Sequence, residues 1–576
     1  MRLCRKLAKQ KHVYVVQVCV TILCLLSVIT ASAAPGCETV PRSTVDAACQ
    51  RELEALTAQL QEMLIRYTEL HPDVRALKRK IVDRGSCASD PAAQGTESGG
   101  PCPSPRQSSP STPAPTPPRE APIHRPLSGP ATPDSSMVTK VVVNAGVTHQ
   151  VMAGFGTSNR LWDDPHVSNF RSTVVPIEAQ REILTRLYTD LGLTRVRLTI
   201  DPGIEPVNDN SDPDVIDWSK FVVRGRKVDD QVTFVKQAIP YGLQTYWPSP
   251  LLLERWMKAS DIDEHVEWAM AVLLRLKERG LPVPYYSPMN EPGNAVVHGG
   301  QGLLATWLTE MVKRLGRRMR KEGIQTMLVI PDDINPAEAY KRIVPVLADA
   351  EARQYVGAIA YHLYGDGDRY RAEIRDIALK YKIPVWMSEF SDRDYATYDG
   401  AMRWAQMIHE LITGSGVSAV DYMWGYFGVW SLGGSDSLVN MDFDNGVFRG
   451  YKLTRAYYLS GQYSRFVRPG YVRIDAALRF PGILVSAFKG VSEIVVVVIN
   501  TNQVPRPVEI SARGVTALQT VLPTRTSATE RWQVLPAIPT DGTRFSARLA
   551  AESVTTFVAR LNELPPTLPG PKTGRR

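Results

Sequence analysis

From Val138 onward, short apolar runs alternate with longer runs whose apolar positions step by threes and fours. The first kind reads as buried strands and the second as amphipathic helices. The strands expected are Met152–Gly156, Arg195–Ile200, Gln244–Pro248, Tyr285–Asn290, Met327–Pro331, Ala358–His362, Val385–Glu389 and Ala419–Trp424. The helices expected between them are Ile177–Leu191, Val228–Tyr241, Ile262–Arg279, Leu303–Glu322, Pro336–Ala350, Arg369–Tyr381 and Ala401–Ser415, with an eighth over Leu453–Gly461. Such alternation is the mark of a parallel sheet. Eight repeats suit a closed α/β barrel, a (β/α)8 TIM barrel, better than an open doubly wound sheet. Gly154-Phe155-Gly156 lacks the third glycine of a dinucleotide fingerprint, which speaks against a nucleotide cofactor.

After Gln462 the rhythm changes to short β-rich runs with frequent turns: Val472–Ile474, Ile483–Lys489, Glu493–Asn500, Arg506–Ile510, Val515–Leu522, Arg531–Leu535 and Val554–Arg560. This predicts a side β-sandwich over 466–562, which the strand 140–144 can join, beside a barrel over 138–465. Residues 563–576 read as a disordered tail.

The N-terminal part follows other patterns. Leu53, Leu56, Leu60, Met63, Tyr67, Leu70, Val74, Leu77 and Ile81 step by alternating threes and fours, predicting a coiled-coil helix over 45–84. Pro72 falls inside it and should kink or restart it. A helix folded back on the barrel is the alternative. The region 85–137 is a linker, since the thirteen prolines between 88 and 137 come with almost no large apolar residue to bury.

At the start of the chain, a basic segment precedes an uncharged stretch from Val13 to Ile29, and Ala31-Ser32-Ala33 fits a cleavage site. Residues 1–34 therefore read as a signal peptide or as an uncleaved membrane anchor. Both put the rest of the chain in the periplasm or outside the cell. Charge changes the picture little. Five of the charges in the net +8 come from Arg2, Arg5, Lys6, Lys9 and Lys11, leaving about +3 on the rest. No basic patch interleaved with aromatics points to nucleic acid. The seven cysteines all precede residue 103. Cys37, Cys49, Cys87 and Cys102 allow three pairings and lack zinc-site spacing.

Candidate chemistry sits at strand ends, the catalytic rim of a barrel. Tyr285–Asn290 runs into Glu291-Pro292, and Val385–Ser388 runs into Glu389. Two carboxyls facing one another, one protonated and one ionised, are what glycoside cleavage needs. Asn290 is placed to donate to a sugar 2-hydroxyl. Arg197 either keeps Glu389 ionised by pairing with it or makes an ion pair in the barrel floor. His362 and Tyr364 are candidates to hydrogen-bond Glu389 or a sugar hydroxyl. Trp424, and less so Trp247 and Trp430, offer faces for stacking on a sugar ring. Trp256 and Trp268 read as helix core. Asp332, Asp333 and Asp366 are acidic loop residues without EF-hand spacing, so no metal is expected and no cofactor is needed.

The order of these motifs resembles the clan A glycoside hydrolases, and within them family 30. Tyr286-Ser287-Pro288-Met289-Asn290-Glu291-Pro292 is similar to the clan's acid/base strand, and Trp386-Met387-Ser388-Glu389 to its nucleophile strand. Ala153-Gly154-Phe155-Gly156-Thr157-Ser158, Tyr246-Trp247-Pro248-Ser249-Pro250 with Arg255-Trp256-Met257-Lys258, and Gly461-Gln462-Tyr463-Ser464-Arg465-Phe466-Val467-Arg468-Pro469-Gly470 resemble further family segments. The resemblance covers about 138–560. It implies Glu291 as acid/base, Glu389 as nucleophile, and a barrel with a side β-sandwich. Two loops depart from the family pattern, Asn159-Arg160-Leu161-Trp162-Asp163-Asp164 and the permuted Trp247-Pro248-Ser249-Pro250, so a known member's substrate is not carried over. Separately, Arg66-Tyr67-Thr68-Glu69-Leu70-His71-Pro72-Asp73-Val74-Arg75-Ala76-Leu77 resembles the coiled coil of polysaccharide chain-length determinant proteins (co-polymerases). That implies self-association or an envelope polysaccharide-assembly partner. The expectation is an exported, retaining, endo-acting β-glycosidase on a polysaccharide, an exopolysaccharide among the candidates. The alternatives are an exo-β-glycosidase on a small glycoside or glycolipid, glucosylceramidase-like, and a non-catalytic glycan-binding assembly protein.

Overall fold

The computed structural model describes residues 138–561 except 160, 163–174, 224–227, 296–297, 299–301, 366, 429–436 and 479, together with Leu56. The export segment, the coiled coil but for Leu56, the cysteines, the linker and the tail lie outside the described residues, as do Trp430 and Asp366. Among the described residues no helix is long and apolar enough to cross a membrane.

Strand β1 (Thr139–Val151) precedes eight parallel strands: β2 (Gly154–Asn159), β3 (Arg195–Ile200), β4 (Thr245–Pro250), β5 (Tyr285–Tyr286), β6 (Met327–Asp333), β7 (Val356–His362), β8 (Val385–Glu389) and β9 (Val417–Met423). Helices follow them in turn: α1 (Ile177–Leu184), α2 (Asp229–Ala238), α3 (Ile262–Glu278), α4 (Ala305–Lys321), α5 (Pro336–Ala348) with the short α6 (Ala350–Arg353), α7 (Tyr370–Tyr381), α8 (Tyr398–Thr413) and α9 (Arg455–Ser464). The sheet order runs from β4 through β3, β2, β9, β8, β7 and β6 to β5. Ser287 N–H donates to Pro248 O at 3.0 Å and Asn290 N–H to Pro250 O at 2.8 Å, bringing the two edges together as a near-closed barrel.

The strand at β5 is much shorter than the 285–290 expected. Pro288 has no N–H to give a ladder, so pairing with β6 ends at Tyr286. The chain goes on in the same direction, held by the two amides just named.

Helix α4 shows how the outer layer forms. Trp307, Leu308, Met311, Val312, Leu315 and Met319 recur on one face and are buried, while its arginines and lysines line the other. Each large apolar side chain so buried contributes about 1.5–3 kcal/mol. Inside the barrel the packing is different. Trp247 and Trp386 fill the interior with ring centroids 6.0 Å apart, and their neighbours Ala358, Ala360 and Ala419 are small enough to leave them room.

Gly156 of the Gly-Phe-Gly run has a steric reason. A Cβ there would sit 2.4 Å from Asp421 Oδ1 and 2.7 Å from Arg195 O. The Arg195 guanidinium forks onto Asp421 at 3.0 and 3.1 Å, buried, and lies 4.0 Å over the Trp386 ring. Gly156 therefore makes space for the pair that fills the lower barrel.

Three strands after the barrel were not expected from the sequence: β10 (Tyr426–Gly428), β11 (Val439–Asp444) and β12 (Val447–Leu453). The β11–β12 hairpin turns on Asn445-Gly446, both at positive φ, the strongest short-range hairpin signal a sequence carries. The rest of the chain adds β13 (Val472–Ala477), β14 (Ile483–Lys489), β15 (Glu493–Asn500), β16 (Arg506–Arg513), β17 (Leu518–Thr526), β18 (Gln533–Val534), β19 (Arg544–Leu549), also unexpected, and β20 (Ser553–Leu561). β1 lies between β13 and β16 in this nine-stranded sheet. Val141, Val143, Val485, Val496, Val508, Ile510, Phe545 and Phe557 share one core, so the sheet closes over itself. Its other face, through Phe488, Val495, Val497 and Ile499, joins the barrel's apolar layer. Helix α9 docks between them, where Gly461 lets the Trp532 ring approach closer than a Cβ would allow. Trp532 Nε1 donates to Tyr458 O at 2.7 Å.

Candidate active site

The site is built at the C-terminal ends of β3, β4, β6, β7 and β8 and of the segment after β5. Strand geometry sorts the side chains of β3. Arg195, Arg197 and Thr199 alternate with Val196, Leu198 and Ile200, so one set lines the interior and the other meets the helices. Arg197 lies one step nearer the rim than Arg195 and is fully buried. It gathers the site. Nη1 donates to Glu389 Oε2 at 2.8 Å. Nη2 donates to Asp332 Oδ2 at 2.9 Å, to Ser249 Oγ at 3.2 Å and to Asn290 Oδ1. Both ion pairs of Arg197 lie at the strand-end site. It pairs with Glu389 and also with a second buried carboxylate, Asp332.

Glu291 enters from the other side. Its N–H donates to Asp332 O at 2.9 Å, and its Oε2 accepts from Asn294 Nδ2 at 2.8 Å. Glu291 and Asp332 have φ of 45° and 59°. Such left-handed geometry costs a residue with a side chain about 1–3 kcal/mol and clusters at functional sites. Asp333 anchors the turn by accepting from the amides of Gly293 at 3.0 Å and Ile334 at 2.9 Å. Burial pushes its carboxyl up to about 7 against the pull of Arg342 and those amides.

His362 sits between the carboxylates. Its Nδ1 is 3.0 Å from Glu291 Oε1 and 3.9 Å from Glu389 Oε1, and its Nε2 is 3.1 Å from Asp332 Oδ1. Its closer partner is thus Glu291, where the expectation was Glu389 or a sugar hydroxyl. Burial lowers its basicity, but the charge of Glu389 and the bonds to Asp332 and Glu291 outweigh that and lift it to about 10. Both ring nitrogens then donate, and the imidazolium has no lone pair for a metal. Asp332 is buried too, yet Arg197, His362 and Ser388 hold it well below the usual carboxylate range. One carboxylate oxygen each of Glu291 and Glu389 and a ring nitrogen of His362 lie within 4.8 Å of one another.

The other candidates divide. Asn290 is buried at the site with its carbonyl oxygen taken by Arg197, which leaves its Nδ2 to donate. Trp424 directly follows β9 and stacks on Phe427 at 5.2 Å, in a cluster with Tyr364, Met423 and Ile334. Tyr364 donates to Met423 Sδ at 3.3 Å. Trp247 is a correction. It is fully buried in the barrel interior against Trp386, so no sugar ring can stack on it. Strand alternation turns it inward below the rim. Trp256 is a second correction. It lies in the loop after β4, donating to Glu205 O at 2.7 Å, and not in a helix.

Asp332, Ser249 and Ser388 were missed as site residues. Asp332 had a readable signal, because it directly follows the Met327–Pro331 run and so stands at a barrel strand end. Ser388 donates to Asp332 Oδ1 at 2.7 Å and Ser249 to Asp332 Oδ2 at 2.8 Å. No spacing rule marks such serines.

No family model matches the chain. In sequence it is similar to the glucuronoxylanase XynC of Bacillus subtilis, 26% identical over 463 residues that cover 75% of this chain and 95% of that protein. In structure it is similar to Xyn30A, a glycoside hydrolase family 30 subfamily 8 xylanase from Clostridium acetobutylicum, with a TM-score of 0.57 and 23% identity over 73% of this chain and 99% of the other. The endo-β1,6-glucanase BT3312 superposes comparably, with a TM-score of 0.57 and 17% identity over 74% and 94%. The chain is therefore a glycoside hydrolase whose sequence and fold are similar to those of family 30 xylanases.

Proposed function

We propose that the chain is a retaining β-glycosidase, endo-acting on a polysaccharide, with Glu389 as nucleophile and Glu291 as acid/base. The closeness of the Glu291 and Glu389 carboxylates carries this reading, since retaining enzymes keep the pair about 5–5.5 Å apart and inverting ones leave room for a water. Glu389 takes the nucleophile's part because it ends β8 and is paired at 2.8 Å with the guanidinium of Arg197. In the first step a Glu389 oxygen bonds the anomeric carbon as the glycosidic C–O bond breaks, and Glu291 passes a proton to the leaving oxygen. In the second, Glu291 takes a proton from water, whose oxygen displaces Glu389 from the same carbon. Asn290 Nδ2 is the donor suited to the 2-hydroxyl, where a hydrogen bond strengthens in the transition state.

The polymer class is drawn from the relatives, which are named for xylans. The same fold carries a β1,6-glucanase, so fold does not choose the polymer. Export rests on the N-terminal apolar stretch and Ala31-Ser32-Ala33, and association with an exopolysaccharide apparatus on the heptads and the co-polymerase-like segment. Incubation with xylan, glucuronoxylan, β-glucans, galactans and the producer's own exopolysaccharide tests the proposal, with Glu389→Gln beside the wild type. Oligosaccharides from one polymer, absent with the variant, are expected, and early NMR should find the β-anomer. Release of single sugars only would mean exo action, and α-anomer product would overturn retention.

A further inference from the structure

The loop after β3, the loop after β4 and the first turns of α3 carry five acids that the reaction does not use: Glu205, Asp209, Glu254, Glu264 and Glu267. Glu254 is satisfied. It accepts from the amides of Gly203 and Ile204 at 2.7 Å and from Trp268 Nε1 at 2.9 Å. The others are not. Glu205 Oε1 accepts from the Asp209 amide at 3.0 Å, but its Oε2 meets no donor among the described residues. The same holds for Asp209 Oδ1, Glu264 Oε2 and both oxygens of Glu267. Glu267 is fully buried, at 0% exposure, and so is Glu205. One carboxylate oxygen from each of Glu205, Glu264 and Glu267 lies within 4.8 Å of the other two. Arg318, whose field reaches Glu267, gives its guanidinium to the carbonyls of Pro213 and Asp214 instead.

Carboxylates buried together without donors are costly, and something must balance them. Burial pushes both Glu205 and Glu267 up to about 8, with neighbouring acids pushing the same way. We propose that Glu205, Glu264 and Glu267 bind a calcium ion that fastens the loop after β3 to helix α3. The donor set is all oxygen, which selects a hard cation over zinc or copper. Oxygens on opposite sides of calcium stand about 4.6–5.2 Å apart, from Ca–O distances of about 2.3–2.6 Å, so three within 4.8 Å fit around one ion. Calcium also accepts irregular, carboxylate-rich shells, whereas magnesium demands a tight octahedron and keeps its waters. Glu264 and Glu267 leave one helix three residues apart, the spacing that puts two side chains on one face. The ion would brace the rim beside β3 and β4, which carry Arg197 and Ser249. None of these acids was singled out in the sequence, from which no metal was expected.

The test is independent of the roles of Glu291 and Glu389, because it reads stability and not turnover. The purified protein is stripped with EDTA, and its unfolding temperature is followed while calcium chloride is added. Terbium luminescence, excited through Trp268 beside Glu254, reports binding directly. The expected result is a Tm that rises with the logarithm of calcium concentration, and terbium emission displaced by calcium. Glu264→Gln, only partly buried and so safe for folding, should raise the calcium needed by about tenfold or more. Glu267→Gln should abolish the response. A wild-type Tm equal in EDTA and in millimolar calcium overturns the proposal, as does a Glu267→Gln protein more stable than wild type in calcium. In either case protons and not an ion neutralise the cluster.

Discussion

The ring of His362 meets the carboxylate of Glu291 at 3.0 Å through Nδ1, while Nε2 meets Asp332 at 3.1 Å. A ring between two carboxylates is held as the cation, so the site carries a fixed donor pointing at the proposed acid/base. The folded-state value of His362, about 10, lies above the free value of 6.5. Its contribution to stability is complete below 6.5 and is lost as pH rises through about 10. Asp332, held below its free value of 3.8, contributes above that value and loses the contribution as pH falls. Tm measured against pH should therefore hold between 3.8 and 6.5 and decline toward 10, with the alkaline decline shallower in His362→Gln. A Tm that instead rises toward pH 6.5, with that rise lost in His362→Gln, would show His362 buried neutral.

The two glutamates should separate by leaving group. Glu291→Gln should lower kcat on a polysaccharide about 10²–10⁴-fold. On an aryl glycoside whose phenol departs without a proton, the glycosylation step should be largely spared. Glu389→Gln should abolish turnover of both. Equal losses in Glu291→Gln on both substrates would remove Glu291 from the acid's role.

Arg197→Lys keeps the charge but loses the fork. One ammonium cannot span Glu389, Asp332, Ser249 and Asn290 together. Breaking a buried pair costs about 3–5 kcal/mol, and urea unfolding should read a loss of that order. A variant as stable and active as wild type would show that the planar geometry is dispensable.

Trp247 and Trp424 should behave oppositely. Trp247→Ala should cost about 3–5 kcal/mol of stability by opening the barrel interior, as measured by denaturant unfolding. Trp424→Ala should raise KM more than it lowers stability, because Trp424 stands at the rim with Phe427. A reversal of the two effects would put the sugar in the wrong place.

Gly156→Ala should destabilise by about 1–3 kcal/mol or more, since its methyl meets Asp421, Arg195 and the backbone oxygen of Arg195. Thermal unfolding reads this directly. Wild-type stability would mean that the Arg195–Asp421 pair moves aside at no cost.

Much of this was legible in the chain. Period-two and period-3.6 patterns are local, and they placed the eight strands and eight helices from Met152–Gly156 to the α9 region, because a residue's face depends only on its neighbours in sequence. The ends of those strands picked out Glu291, Glu389, Asn290, Arg197 and His362 for the same reason. Local rules also held information that went unused, Asn445-Gly446 for the hairpin and Asp332 for the strand end. What the pattern could not hold was depth and partner. Whether a tryptophan on a strand lies at the rim or below it depends on how far the strand is slid against its neighbours, and that separates Trp424 from Trp247. That His362 answers to Glu291 more closely than to Glu389, that Asp332 is shared by Arg197 and His362, and that Glu205 meets Glu264 and Glu267 are consequences of barrel closure. Closure joins residues far apart in sequence at distances of a few ångströms, where burial and charge decide which of them ionise.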